Sequence, residues 1–226
     1  AERAIQRGGP ALTSFRALHR NERVSAEARD VLLTADEWAA AEASDLPPRS
    51  GPCAVGVDLG GSRSMSAAAA YWWQTGRLEV WRCFPGNPSL AERGVADGVA
   101  GRYREMGERG ELLTLGDRVV PIGPFLEEVM RRLAGERVAV LCWDRFRSSE
   151  MLEAAKLAGV RAPIQFRGQG WKEGSEDVER FRRAVFDGQV HCAESLLMRS
   201  ALADAVCLSD PVGNRKPAKA RSEERR

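Results

Sequence analysis

The sequence predicts an α/β fold: a mixed sheet of five strands flanked by helices. Three short segments rich in apolar, aromatic and β-branched residues follow one another closely, which indicates three antiparallel strands. Helical and strand-like segments then alternate, which favours parallel strands in the later part. With 226 residues, the chain is long enough to bury one sizeable core.

The first three strands are expected at residues 53–58, 67–74 and 78–84, the last two separated by Thr75-Gly76-Arg77. The first is a short apolar run, Cys53-Ala-Val-Gly-Val-Asp58, that ends in an acid and passes into a glycine-containing loop. Further along, a continuous apolar run at Val138–Trp143 is typical of a strand buried on both faces, and the fifth strand is expected at residues 163–166.

The remaining elements follow from helical spacing and breaker residues. We expect a helix at 89–108, a small hairpin at 112–120, and helices at 125–133, 149–158, 176–187 and 194–205. Residues 1–50 are helix-prone and charged, and Thr34-Ala-Asp-Glu37 offers a capping box. The breaker-rich stretch Leu46–Pro52 then indicates a linker, so the main domain is expected at residues 51–226.

Composition excludes several classes of protein. A hydrophobic content of 43% and a charged content of 29% are typical of a globular protein, and no apolar run reaches the 18 residues or so that a membrane span requires. The five cysteines occur singly without CxxC spacing, which indicates reduced thiols in a cytoplasmic protein and disfavours zinc binding or disulfides. The net charge of +2 does not by itself indicate a partner.

Two aspartates carry the chemistry that the sequence suggests. Asp58 and Asp144 each end an apolar strand segment, so their carboxylates meet at one sheet edge if the two strands lie side by side and parallel. Two close carboxylates repel each other, and such a pair usually needs cations between its members. Two Mg²⁺ or Mn²⁺ ions would suit the oxygen ligands and could hydrolyse a phosphodiester. Alternatively, each aspartate only caps the loop that follows it.

Basic residues near these acids are candidate contacts to DNA phosphates. Arg145 and Arg147 directly follow Asp144, although both could be solvent-facing residues at a helix start. The segment Gln165–Lys172 is expected to be a loop that cradles a DNA backbone, with Lys172 as a cation and Trp171 either stacking or packing. A basic segment from Asn214 onward contributes Arg215 and Lys216, and its alternative is a solvated tail.

Three segments together resemble a known family: Cys53-Ala-Val-Gly-Val-Asp-Leu-Gly-Gly-Ser-Arg-Ser64, Trp143-Asp-Arg-Phe-Arg-Ser148 and Asp210-Pro-Val-Gly-Asn-Arg-Lys216. From about residue 51 to its end, the chain is similar to the nuclease domain of the large terminase subunits of tailed bacteriophages. The resemblance implies a ribonuclease H-like fold and a DNA endonuclease that cuts concatemeric viral DNA during genome packaging. By position, Asp58 and Asp144 match the first two metal-binding acids of the family.

The resemblance also implies a larger parent protein. The family pairs the nuclease with an ATPase, but no Gly-rich Walker loop occurs here, and residues 1–50 resemble the joining segment. The third acid of the family is expected beyond Arg226, with Asp204 and Asp210 as the nearest substitutes. The implied partners are double-stranded DNA, a small terminase subunit and the capsid portal, in the cytoplasm of the infected bacterium.

Three alternatives remain open. Transposases, integrases and junction resolvases share the fold and its carboxylates. Sugar kinases and actin-like ATPases also carry a first strand followed by a sequence such as Asp58-Leu-Gly-Gly-Ser62, although this chain has little room for their second domain. A non-catalytic DNA-binding module would use the two aspartates structurally.

Overall fold

The computed structural model describes residues 31–61, 64–145 and 147–218. They form one eight-stranded mixed sheet with helices on both faces, and a two-stranded sheet near the C-terminal end. The strands are β1 (Glu42–Ala43), β2 (Cys53–Asp58), β3 (Ser66–Trp72), β4 (Arg77–Phe84), β5 (Leu112–Thr114), β6 (Val138–Asp144), β7 (Ile164–Arg167), β8 (His191–Ala193), β9 (Cys207–Ser209) and β10 (Arg215–Pro217). The helices are α1 (Ala35–Ala39), α2 (Leu90–Ala96), α3 (Arg102–Glu108), α4 (Ile122–Arg132), α5 (Ser148–Leu157), α6 (Trp171–Phe186) and α7 (Leu196–Asp204). No described helix is long and apolar enough to cross a membrane.

The sheet confirms the predicted fold class. Its strand order is β1-β8-β4-β3-β2-β6-β7, with β5 beside β4. Strands β2, β3 and β4 are antiparallel neighbours, and β6 and β7 continue the sheet in parallel with β2. The five predicted strands therefore form one contiguous part of the sheet, from β4 to the edge strand β7. The sequence missed β1 and β8 because strands of two or three residues are too short to show a period.

The hairpin predicted at residues 112–120 is wrong. Only Leu112–Thr114 forms a strand, and it pairs with β4 in parallel. The Gly116 and Asp117 carbonyls accept hydrogen bonds from Gly86 and Asn87, so this turn lies along the segment that leaves β4. The backbone groups that a second hairpin strand would have paired are thus satisfied by β4 and its exit loop.

Two helices differ from their predicted bounds. The helix expected at 89–108 is divided into α2 and α3, and positive φ angles at Gly98 (69°) and Ala100 (48°) mark the break. Helix α6 begins at Trp171, five residues before the predicted start, and Gly174 in its first turns lowers helix propensity. A Cβ on Gly174 would lie 2.9 Å from Cβ of Lys216, so the glycine permits the close approach of β10.

Two apolar clusters cover the two faces of the sheet. Helices α4 and α5 pack on one face, where Phe125, Leu126, Val129 and Met151 are at most 1% exposed. Helices α1, α3, α6 and α7 pack on the other face. The sheet is thus buried on both sides, which explains why its central strands consist largely of apolar residues.

The described part of residues 1–50 belongs to the second cluster. Leu33 and Trp38 are 1% exposed, and β1 pairs in parallel with β8. The capping box is present, because Thr34 and Glu37 exchange side-chain to backbone hydrogen bonds. Residues 31–43 therefore pack within the same fold as the main domain. The expectation that residues 1–50 join a preceding domain stays a prediction, since residues 1–30 lie outside the described range.

Candidate metal and nucleic-acid site

Asp58 and Asp144 lie side by side at one edge of the sheet. Strands β2 and β6 are parallel neighbours, and Val57 of β2 pairs with Trp143 of β6. The residues that follow are the two aspartates, on strands that lie about 4.8 Å apart. Val57 and Trp143 are 7% and 3% exposed, whereas Asp58 is exposed and Asp144 is partly exposed. The two aspartates therefore lie next to each other where the two buried strands reach the surface, as the sequence suggested.

The loop after Asp58 requires a glycine at its first turn. A Cβ on Gly60 would lie 2.1 Å from the carbonyl oxygen of Ser64 and 2.6 Å from that of Met65. The Gly60 amide donates to Oγ of the buried Ser66, at 3.1 Å. The returning chain thus passes directly against the end of β2, and Ser66 fixes the loop to β3. Residues 62 and 63 of this loop lie outside the described range.

A residue of the next loop holds Asp144. Strand β7 is the other neighbour of β6, with Arg167 paired to Asp144. Two residues later, Nε2 of Gln169 donates a hydrogen bond to Oδ2 of Asp144, at 2.5 Å. The sequence indicated this loop as a contact to DNA but did not single out Gln169. Its only signal was a polar side chain between Gly168 and Gly170, directly after a strand.

The flanking glycines allow this loop to approach α6. A Cβ on Gly168 or on Gly170 would lie 2.8 Å from the carboxylate oxygens of Glu173, in the first turn of α6. Both glycines therefore leave room for the Glu173 side chain to pack on the loop backbone. A side chain at either position would require the Glu173 carboxylate to move away from the loop.

Arg145 and Arg147, which follow Asp144, differ in their exposure and in their hydrogen bonds. Arg145 is exposed and directly follows Asp144. Arg147 is the N-cap residue of α5 with a φ of 54°, and its Nε and Nη2 donate to the Glu150 carboxylate. Arg147 is therefore engaged by its own helix, whereas Arg145 extends into solvent beside the acid.

Lys172, Arg215 and Lys216 lie at the start of α6 or beside it. Lys172 is exposed in the first turn of α6 and is helical, not part of a loop as expected. Nζ of Lys216 lies 4.3 Å from the ring centroid of Trp171, a cation–π contact. The Arg215 amide donates to Oγ of Ser175. Trp171 thus packs against Lys216, and its stacking on DNA stays a prediction.

The two aspartates weighed as substitutes for a third acid are occupied elsewhere. Asp204 ends α7 beside Tyr103, whose pKa is raised to about 12 by burial first and then by the charges of Asp97 and Asp204. Asp210 accepts hydrogen bonds from Asn214 and Val212, which lowers its pKa and closes the turn between β9 and β10. Within the described ranges, no group of three or more His, Cys, Asp or Glu could hold a metal ion. The site there consists of a carboxylate pair.

Comparison with solved structures shows the same fold in phage proteins. The large terminase of bacteriophage HK97 superposes with a TM-score of 0.76 and 21% identity over 92% of this chain, which spans 43% of that protein. The large terminase nuclease of thermophilic phage G20c gives 0.54 and 10% over 85% of this chain and 90% of its own. Its form with bound magnesium gives 0.53 and 9%, over 83% and 87%. No family model and no curated protein matches the sequence.

These neighbours define the fold of the chain. Its mixed sheet with flanking helices is the ribonuclease H-like arrangement of large terminase nucleases. The identities of 9–21% between these chains are low, so the likeness establishes fold alone. A fold does not determine function by itself, because function depends on the residues of the site that the fold carries.

Proposed function

We propose that this chain is the metal-dependent endodeoxyribonuclease domain of a phage large terminase, which cuts concatemeric viral DNA during packaging in the host cytoplasm. One observation supports the proposal: β2 and β6 are parallel neighbours with Val57 paired to Trp143, so Asp58 and Asp144 follow side by side at the carboxyl ends of the two strands. These strands belong to a fold seen in terminase nucleases. Double-stranded DNA is the proposed substrate, and the small terminase subunit and portal are the proposed partners of the parent protein.

The donor set fits a hard divalent cation. Asp58 and Asp144 offer adjacent carboxylate oxygens, and Mg²⁺ typically binds one or two carboxylates while it keeps several waters. The G20c nuclease has been solved with bound magnesium and with bound cobalt. We propose that the two aspartates hold Mg²⁺ or Mn²⁺, two ions when the site is complete. Bound divalent cations would lower the pKa of water and stabilise charge on a leaving oxygen.

The residues of the chain itself fix and flank this site. The buried Val57 and Trp143 hold the two strand ends, and Gln169 orients one carboxylate by its hydrogen bond to Asp144. Such partners of metal-binding side chains set the direction of the oxygen lone pairs. Two neighbouring carboxylates repel each other, and a cation bound between them would relieve this repulsion.

The cations near the two loops that carry Asp144 and Gln169 suit a phosphate backbone. Arg145 directly follows Asp144, Lys172 lies in the first turn of α6 three residues after Gln169, and Lys216 of β10 contacts Trp171. Arginine and lysine contacts to phosphates position DNA without reading its sequence. We assign the larger part of DNA contact to these three, and a smaller part to Arg147 and Arg215, whose groups also bond within the protein.

Plasmid nicking tests the proposal. The wild-type chain should convert supercoiled plasmid to open circles in Mn²⁺ or Mg²⁺ and lose this activity in EDTA. Asp58→Asn and Asp144→Asn should abolish nicking, and thermal melts should show that both variants remain folded. Asp187→Asn is the matched control, since Asp187 is exposed at the far end of α6.

Two outcomes would contradict the assignment. Unchanged nicking by Asp58→Asn would exclude catalysis by this pair. Saturable ATP binding by a chain that does not nick would favour the actin-like alternative.

A further inference from the structure

A cavity of about 320 Å³ opens where the edge of β4 is not covered. Strand β8 pairs with β4 only at Arg77 and Leu78, and β5 pairs only at Arg82–Phe84. The backbone of residues 79–81 therefore has no strand neighbour on this side among the described residues. The turns Gly110–Glu111 and Ala193–Ser195 form the walls of the gap. The cavity is two strands away from Asp58, because β3 separates β4 from β2.

One guanidinium on the cavity wall has no counter-charge within the part of the chain that the structure describes. Trp81 and Cys83 pack in the cluster of α4 and α5, so the alternation of β4 directs Arg82 toward α7. Its Nε is buried and has no hydrogen-bond partner among residues 31–61, 64–145 and 147–218, and its Nη2 contacts Sδ of Met198, at 3.5 Å. A thioether is a weak acceptor. Burial also lowers the pKa of Arg82.

The acids of the cavity wall are already paired with other groups. Glu79 binds Arg49 and Arg77, the latter at 2.6 Å. Glu111 accepts hydrogen bonds from Oγ of Ser195 and the amide of Leu197, at 2.9 and 2.8 Å.

The remaining ionisable groups of the cavity wall are also paired with an opposite charge or are uncharged. Glu194 lies 3.3 Å from Arg199, and Arg132 binds Glu128 at 2.7 Å. The Cys192 thiol faces Arg82, but burial raises its pKa to about 11, so it carries no charge at neutral pH. Arg82 is thus the cation of this wall that remains without an anion among the described residues.

We propose that this cavity binds a small monocarboxylate with an apolar body, and that Arg82 anchors its carboxylate. A guanidinium presents two parallel N–H donors that match a carboxylate, and a buried charge without a partner is costly for the free protein. The walls supply the apolar contact, through Leu78, Val80, Trp81, Leu113, Leu197 and Met198. The paired acids nearby disfavour a doubly charged phosphate. Pockets for small ligands commonly begin at about this volume.

Binding to the 226-residue chain tests this inference. Benzoate, phenylacetate and hexanoate are the probes, benzamide is the neutral analogue of benzoate, and inorganic phosphate is the second anion. At least one carboxylate should raise the melting temperature and give saturable calorimetric binding, whereas benzamide and phosphate should not. A peptide with a free C-terminal leucine, compared with its amide, shows whether a protein terminus is also accepted. Absence of saturable binding by every carboxylate would overturn the proposal.

Substitution of Arg82 distinguishes anchoring from surface binding. Arg82→Met should raise the melting temperature of the free protein, because a desolvated charge is removed, and weaken carboxylate binding at least about tenfold, which corresponds to about 1.4 kcal/mol. Arg82→Lys keeps the charge but loses the paired donors, and should bind with intermediate affinity. Arg131→Met, at a side chain 69% exposed, is the control and should bind like wild type. Binding by Arg82→Met as tight as by wild type would contradict the assignment.

Discussion

The amide of Gln169 donates a hydrogen bond from Nε2 to Oδ2 of Asp144. The loop after β7 is thereby connected to the carboxylate at the end of β6, and the first turn of α6 follows two residues later. The direction of the Asp144 carboxylate thus depends on a neighbouring loop as well as on its own strand.

Loss of this hydrogen bond should weaken cation-dependent cleavage. Gln169→Ala should lower the nicking rate and raise the Mn²⁺ concentration needed for half-maximal rate by about 10- to 100-fold, as for other partners of metal ligands. Gln165→Ala, an exposed glutamine of β7, should behave like wild type. A titration of nicking against Mn²⁺ measures the effect, and identical curves for the two variants would mean that Gln169 has no positioning role.

The turn after Asp58 should not tolerate a side chain at its first glycine. Gly60→Ala would place a Cβ 2.1 Å from a backbone oxygen, which the chain cannot relieve by a rotamer change. We expect a loss of unfolding free energy of about 1–3 kcal/mol or more, together with loss of nicking. A Cβ on Gly61 would have none of the described atoms within 4 Å apart from its chain neighbours, so Gly61→Ala is the matched control. Urea denaturation checks both, and equal stabilities would show that the loop relaxes.

Lys216 should contribute to DNA affinity through charge. Lys216→Gln should reduce the slope of log K against log salt by about 0.9, because about one phosphate contact is lost. The affinity should fall to a similar degree on unrelated sequences, since phosphate contacts carry no base specificity. Lys156→Gln, on the exposed side of α5, should leave the slope unchanged. Fluorescence anisotropy at several salt concentrations, with EDTA present, gives both values.

Trp38 should stabilise the whole domain although it precedes the predicted linker. It is 1% exposed, and its Nε1 donates to Glu42. Trp38→Ala should therefore lower the unfolding free energy by about 3–5 kcal/mol. Trp73 is 46% exposed, and Trp73→Ala should change stability by about 0.5 kcal/mol or less. The prediction would be contradicted if Trp38→Ala unfolded only residues 31–43 and left the main calorimetric transition unchanged.

Glu128 should make stability depend on acid pH. Hydrogen bonds from Arg131 and then Arg132 outweigh desolvation and lower its pKa from 4.5 to about 2. Because the folded-state pKa is depressed, this stabilisation is complete above pH 4.5 and is lost as the pH falls toward about 2. Glu128→Gln should therefore be less stable than wild type at pH 7, and the difference should narrow below pH 4.5. Glu127→Gln, at an exposed neighbour, should show no such trend in thermal melts.

The central sheet could be predicted because its pattern is local. Apolar runs such as Cys53–Val57 and Val138–Trp143 are long enough to indicate buried strands, and each is followed by an aspartate. The short strands and the early start of α6 could not be predicted. Leu112–Thr114 becomes a strand because the edge of β4 is available, and Gly174 is accommodated in α6 because β10 packs against it.

By itself, the sequence determined the α/β class, the strands that carry Asp58 and Asp144, and the resemblance to terminase nucleases. Only the tertiary structure decided which neighbours these residues have. Gln169 contacts Asp144 from 25 residues away, and Lys216 contacts Trp171 from 45 positions further along. Among the described residues, Arg82 has no anionic partner although acids line the same cavity. Burial and strand order are consequences of how the whole chain packs, and side chains distant in sequence meet only after the sheet has formed.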